Sequence, residues 1–210
     1  MKRKLLKLII LSVIVSIFVL VIYKTANQNK INVVILGDNR EYSMYLKDKL
    51  INNKILGTYN IYTDGNETID SLITRINTTP SIKRDLRESR LTTISIGSND
   101  CYNLKLNINT NNILDLKDEI SLLLPKLDKL LDLVRKYAKY DVILIGYYNQ
   151  NTTLSSSNKL DILFLYIDSM LKDISKKYNI TYISLYDLLK NNSNNPNQII
   201  SNEIIKYFYK

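Results

Sequence analysis

The chain has 210 residues, with 29 Lys and Arg against 20 Asp and Glu for a formal net charge of +9, one cysteine, five glycines and no histidine. A single cysteine excludes an intrachain disulfide and a thiolate zinc cluster, and the lack of histidine removes the commonest general base, the commonest metal ligand and the pH switch near neutrality together. Five of the nine net charges come from Lys2, Arg3, Lys4, Lys7 and Lys24, in a stretch with no acid; the remainder, at +4, has no basic stripe of the kind that binds nucleic acid.

After its basic start the chain runs LIILSVIVSIFVLVIY up to Tyr23. Counted from Leu5, these 19 residues reach about 28 Å as a helix, close to the ~30 Å of bilayer hydrocarbon. A cleaved signal peptide is the rival reading, but Tyr23-Lys24-Thr25-Ala26 offers no small-x-small site and no cysteine follows to carry a lipid. The expectation is a transmembrane signal anchor over residues 1–24, a polar tether over 25–30 and one domain over 31–210. Basic residues before the span put the amino terminus in the cytoplasm and the domain outside a cell membrane crossed once.

Ile31 to Asn39, INVVILGDN, is a β-branched run ending in Gly37, Asp38 and Asn39, as a buried parallel strand would. Tyr42, Tyr45, Leu46, Lys49 and Leu50 then recur at helical spacing over Glu41 to Asn52. Tyr59 to Tyr62 reads as a weak second strand before Asp64 and Gly65. A helix starts near Thr68, with Ile69, Leu72, Ile73 and Ile76 on one face and Pro80 beyond it. Leu91 to Ile96 is a third strand, followed by Gly97, Ser98, Asn99 and Asp100. A stripe from Ile120 to Ala138 marks a long helix that Pro125 either kinks or divides. Val142 to Ile145 is a fourth strand, Leu160 to Tyr178 an amphipathic helix after a polar NQNTTLSSSN loop, and Ile180 to Leu185 a fifth strand. Asp187 to Lys190 reads as a helical turn and Ile199 to Phe208 as a closing helix.

Strands alternating with helices of this length call for a parallel sheet covered on both faces, because parallel neighbours need crossovers. Right-handed crossovers place the carboxyl ends of the strands on one edge, where the loops opening at Gly37, Gly65, Gly97 and Gly146 converge.

Gly37-Asp38 after the first strand, Gly65 after the second and Gly97-x-Asn99-Asp100 after the third resemble, in order, the blocks of the SGNH (GDSL-type) hydrolases. Membrane-anchored bacterial members are especially similar. The resemblance implies a three-layer α/β/α, flavodoxin-like fold with five parallel strands ordered 2-1-3-4-5. It also implies esterase or lipase chemistry: a serine directly after Gly-Asp attacks an ester carbonyl, its N–H, the second-block glycine and the third-block asparagine hold the oxyanion, and a carboxyl-terminal Asp and His activate the serine. Carried over, Gly65 and Asn99 match the oxyanion donors and Asp38 the block-one aspartate. Asn39 occupies the nucleophile position, Asn195-Pro196 stands where His-Pro is expected, and Ser193 or Asn192 where the aspartate would be.

Other groups at this mouth are Ser43, about one helical turn after Asn39, with a helix-surface or capping role as its alternative, and Cys101, with a small buried packing role as its alternative. Asp38, Asp64 and Asp100 are potential cation ligands, with loop-shaping hydrogen bonds as the alternative; no metal or cofactor is expected. Two readings follow. One is a membrane-tethered, catalytically inactive SGNH-type protein whose cleft binds an acyl or carbohydrate-type ligand or a surface protein. The other is a divergent esterase with a non-standard nucleophile, which a hydroxyl or thiol within about 3.2 Å of a carboxylate beside Asn99 would favour.

Overall fold

The computed structural model describes residues 12–21, 30–103, 113–146, 157–189 and 195–207. The five strands are β1 (Ile31–Gly37), β2 (Leu56–Thr63), β3 (Leu91–Ser95), β4 (Asp141–Ile145) and β5 (Thr181–Ile183). All pair in parallel, in the expected order β2-β1-β3-β4-β5. The helices of the domain are α1 (Glu41–Asn52), α2 (Ile69–Thr78), α3 (Pro80–Glu88), α4 (Ser98–Asn103), α5 (Ile113–Ser121), α6 (Leu124–Tyr137), α7 (Ser157–Lys177), α8 (Leu185–Leu189) and α9 (Pro196–Lys206).

Alternation along the central strands builds the three layers, because successive strand side chains point to opposite faces. Val34 and Leu36 of β1, with Ile94, Val142 and Leu144, face a core completed by Ile69, Leu72 and Ile76 of α2, Ile82 and Leu86 of α3, and Leu127, Leu131 and Val134 of α6. Val33 and Ile35, with Leu91, Ile143 and Ile145, face the other core, closed by Tyr42, Leu46 and Leu50 of α1, Leu185 and Leu189 of α8, and Ile199, Ile200 and Ile204 of α9. Both faces of β1 and β3 are therefore dry, which explains the apolar run Val33 to Leu36 in β1; in β3 the buried Thr92 and Thr93 hydroxyls bond to those of Ser89 and Tyr42.

Each of the three prolines stands in the first turn of a helix, Pro196 at the start of α9. Pro80 stands at the start of α3, an element absent from the expected set, and Pro125 lies in the first turn of α6, so the long stripe is two helices with Leu122-Leu123 between them. A proline in the first turn has no intrahelical N–H bond to lose. β2 starts three residues before the expected Tyr59. It is an edge strand, and its half-exposed side chains give a weak period.

Residues 12–21 form an apolar helix whose every residue is exposed. No helix among the described residues is long and apolar enough to cross a membrane. The expected span extends into residues 1–11 and 22–24, which lie outside the described residues, as do the tether at 25–29, most of the NQNTTLSSSN loop, Lys190 and the Asn192/Ser193 position.

Candidate active-site cleft

A cleft of about 740 Å³ opens at the carboxyl edge of the sheet, where a doubly wound fold holds ligands. Asp38, Asn39, Arg40 and Glu41 line it from the β1–α1 junction, Thr63 to Gly65 from the end of β2, and Ser95, Ile96 and Ser98 from the end of β3. Ile145, Gly146 and Leu185 form the far wall, and Pro196, Asn197 and Ile200 enter from α9.

Gly37 sets the geometry at the head of the cleft. Its φ of +123° and a position where a Cβ would sit 1.8 Å from the Ser95 carbonyl oxygen leave room for glycine alone. The turn delivers Asp38 across β3: its N–H donates to the Ser95 carbonyl at 2.8 Å, and its Oδ2 accepts from the N–H groups of Gly97 at 3.2 Å and Ser98 at 3.1 Å. Ser98 Oγ donates to the same oxygen. Burial pushes the Asp38 carboxyl above its ordinary value, and the bonds from Ser98 and Gly97 pull the other way.

Asn39 lines the cleft, but its Oδ1 accepts from the N–H of Glu41 at 3.1 Å, so its amide serves the start of α1. Asn195 does the same for α9. Its side chain accepts from the N–H of Asn197 at 2.9 Å, and its Nδ2 donates to the Tyr45 hydroxyl at 3.3 Å. The buried Asn197, which sequence reasoning missed, donates from Nδ2 to Glu41 Oε2 at 2.7 Å. Asn39 and Asn195, which the resemblance matches to the serine and histidine positions, are thus joined to the ends of two packed helices. The signal for Asn197 was Pro196 beside it, which as a first-turn residue would have marked Asn195 as the cap.

Asn99 does not present the oxyanion donor that the resemblance implies. Its Nδ2 carries two protons and donates to two carbonyls, Gly65 and Glu67, each at 2.9 Å, bracing the β2–α2 loop. Glu67, also missed, is buried and paired with Arg75, whose Nη2 further donates to the Tyr62 carbonyl at 2.8 Å. Burial raises the Glu67 carboxyl to about 7 against the pull of Arg75, with Asp64 and Asp38 adding to the rise. Gly65 is exposed at the mouth, and a Cβ on it would meet nothing within 4 Å.

Three expected cleft residues lie elsewhere. Ser43 is fully buried: its Oγ donates to the Arg40 carbonyl and its own carbonyl accepts from the Tyr59 hydroxyl, because the helical turn after Asn39 carries it to the inner face of α1. Asp100 is buried and accepts from the N–H of Ile69 at 2.9 Å, meeting the need of a helix start for acceptors at α2. Cys101 packs against the α2/α6 core, where burial pushes its thiol up to about 12, far from a reactive thiolate. Among the described residues no group of three or more His, Cys, Asp or Glu is placed to hold a metal ion.

Against solved structures the domain superposes on a lipase from a goat rumen metagenome with a TM-score of 0.65 at 13% identity, covering 84% of this chain and 97% of that one. An acetylxylan esterase from Geobacillus stearothermophilus follows at 0.60 and 12%, covering 85% and 94%, and a protein described as a GDSL-like lipase from Parabacteroides merdae at 0.56 and 12%, covering 86% and 97%. The chain has the fold of these esterases and lipases. No family model and no curated protein sequence matches it. Variants of the acetylxylan esterase with a serine or a histidine changed to alanine are described as catalytic mutants, and the present chain has no histidine at all.

Ser98 was passed over as the unspecified member of Gly97-x-Asn99. It is an exposed hydroxyl in the cleft, bonded to a carboxylate and next to Asn99. A hydroxyl bonded to a carboxylate beside Asn99 is the arrangement that would favour a divergent esterase.

Proposed function

We propose that this chain is an SGNH/GDSL-type hydrolase relative that has given up turnover, held at the outer face of a cell membrane by its amino-terminal helix, with a cleft that binds an acyl or carbohydrate-type ligand or a surface protein. One observation carries the loss of turnover. Three side chains at the positions where the family chemistry would be placed are engaged in structural hydrogen bonding: Asn39 with the start of α1, Asn195 with the start of α9, and both Asn99 amide protons with the Gly65 and Glu67 carbonyls. An oxyanion without the Asn99 amide and a hydroxyl without imidazole forgo two large contributions to acyl-transfer rates. The basic flank and apolar run before Tyr23 support the anchor.

A panel of short-chain acyl esters offered to the domain tests the first part; no turnover is expected, and turnover near 1 s⁻¹, within the range of working enzymes, would overturn it. Protease added to intact protoplasts should remove the domain, whereas full protection would refute the topology.

A divergent acyl hydrolase is the second reading, favoured by the Ser98–Asp38 bond alone. It ranks below the first because the proton acceptor bonded to Ser98 is a carboxylate and the chain has no imidazole to take that part.

A further inference from the structure

We propose that Ser98 is an acyl acceptor: with an activated acyl ester, such as an aryl acetate, it forms a stoichiometric acyl-serine that the cleft releases slowly. The inference rests on the cleft being open to acyl ligands, as proposed above.

Three features place the reaction at this hydroxyl. Ser98 is exposed on the cleft wall, whereas Ser43 is fully buried beneath α1. Its Oγ already donates to Asp38 Oδ2, so a proton acceptor is in contact before any ester arrives. Asp38 is itself held across β3 through its own N–H, and its carboxylate by the N–H groups of Gly97 and Ser98, so the pair is preorganised by backbone.

In the forward step Oγ bonds to the ester carbonyl carbon as its proton passes to Asp38 Oδ2. The tetrahedral adduct then breaks its bond to the aryl oxygen, releasing aryloxide, and the proton leaves Asp38 for solvent. The products are the Ser98 ester, aryloxide and a proton. The reverse demand explains the stall. Aryloxide leaves readily without oxyanion stabilisation, but hydrolysis of the Ser98 ester must expel an alkoxide, a far poorer leaving group, with both Asn99 protons already engaged.

The test is incubation of the protein with p-nitrophenyl acetate, followed by intact mass measurement and peptide mapping, with hydroxylamine treatment to separate ester-linked from lysine-linked acetyl groups. One equivalent of hydroxylamine-labile acetyl on the Ser98 peptide is expected, absent in Ser98→Ala. Asp38→Asn should slow its formation at least tenfold; if that variant does not fold, the pH profile of the unaltered protein reads the same group, with acylation falling as Asp38 is protonated. No labile acetyl on Ser98, or labile acetyl unchanged in Ser98→Ala, overturns the proposal. Nitrophenol release continuing well beyond one equivalent and abolished by Ser98→Ala would uphold the acceptor role and overturn the non-hydrolytic reading instead.

Discussion

The two rims of the cleft differ in how they compare with the SGNH-type pattern. On the β1–β3 rim the residue types expected of a hydrolase are present, yet Asn99 is turned onto the Gly65 and Glu67 carbonyls and Asp100 onto the start of α2. On the α1–α9 rim Asn39 and Asn195 stand where the resemblance would put a serine and a histidine, and both satisfy N–H groups at the starts of their own helices. Identity and role are therefore separable. Both rims obey one constraint: N–H groups at helix starts and carbonyls in a tight loop need partners, and a catalytic side chain stays free only where something else supplies them.

The largest difference in expected stability lies between Gly37 and Gly65. Gly37→Ala should destabilise the domain by on the order of 4 kcal/mol or prevent folding, since its Cβ would lie 1.8 Å from the Ser95 carbonyl oxygen at a φ of +123°. Gly65→Ala, with open space around the new Cβ, should stay within about 0.5 kcal/mol. Urea denaturation measures both, and equal losses would remove the distinction between a glycine that shapes the rim and one that only edges it.

Glu67 sharpens the β-side comparison through pH. With its carboxyl at about 7 in the fold and 4.5 ordinarily, the folded protein holds a proton across that window that the unfolded chain has lost. Stability therefore falls as pH rises from about 4.5 to 7, by on the order of 3 kcal/mol. Glu67→Gln should flatten that slope, as read from denaturation midpoints at several pH values; an unchanged slope would assign it to other groups.

Smaller effects belong to the α-side rim. Asn195→Ala should cost about 1 kcal/mol as a lost cap, with Asn195→Ser recovering most of it. Asn39→Ser keeps a capping oxygen and should shift stability by no more than about 0.5 kcal/mol while adding no ester turnover above background, because the chain still lacks an imidazole. Turnover gained from that single change would mean that a base stands by the cleft.

Much of the fold was legible because burial and period coincide. Val33 to Leu36 and Val142 to Ile145 are buried on both faces, and α1 and α2 carry clean stripes. α3 was not, since Pro80 was read as a stop when it opens a helix whose Ile82 and Leu86 reach the core. At the site, the absence of histidine and the asparagines at positions 39 and 195 were plain in the residues. The burial of Ser43, the exposure of Ser98 and the orientation of Asn99 were not, because each depends on which way a turn rotates a side chain.

By itself the sequence determined the order of the strands along the chain and which side chains are lacking, since apolar period and residue inventory need no tertiary contact. The tertiary structure decided which polar groups are free. Only when the ends of β1, β2 and β3 are brought together does Asp38 find Ser98 and Asn99 find the Gly65 and Glu67 carbonyls, contacts between residues some 30 to 60 positions apart in the chain that no local pattern encodes.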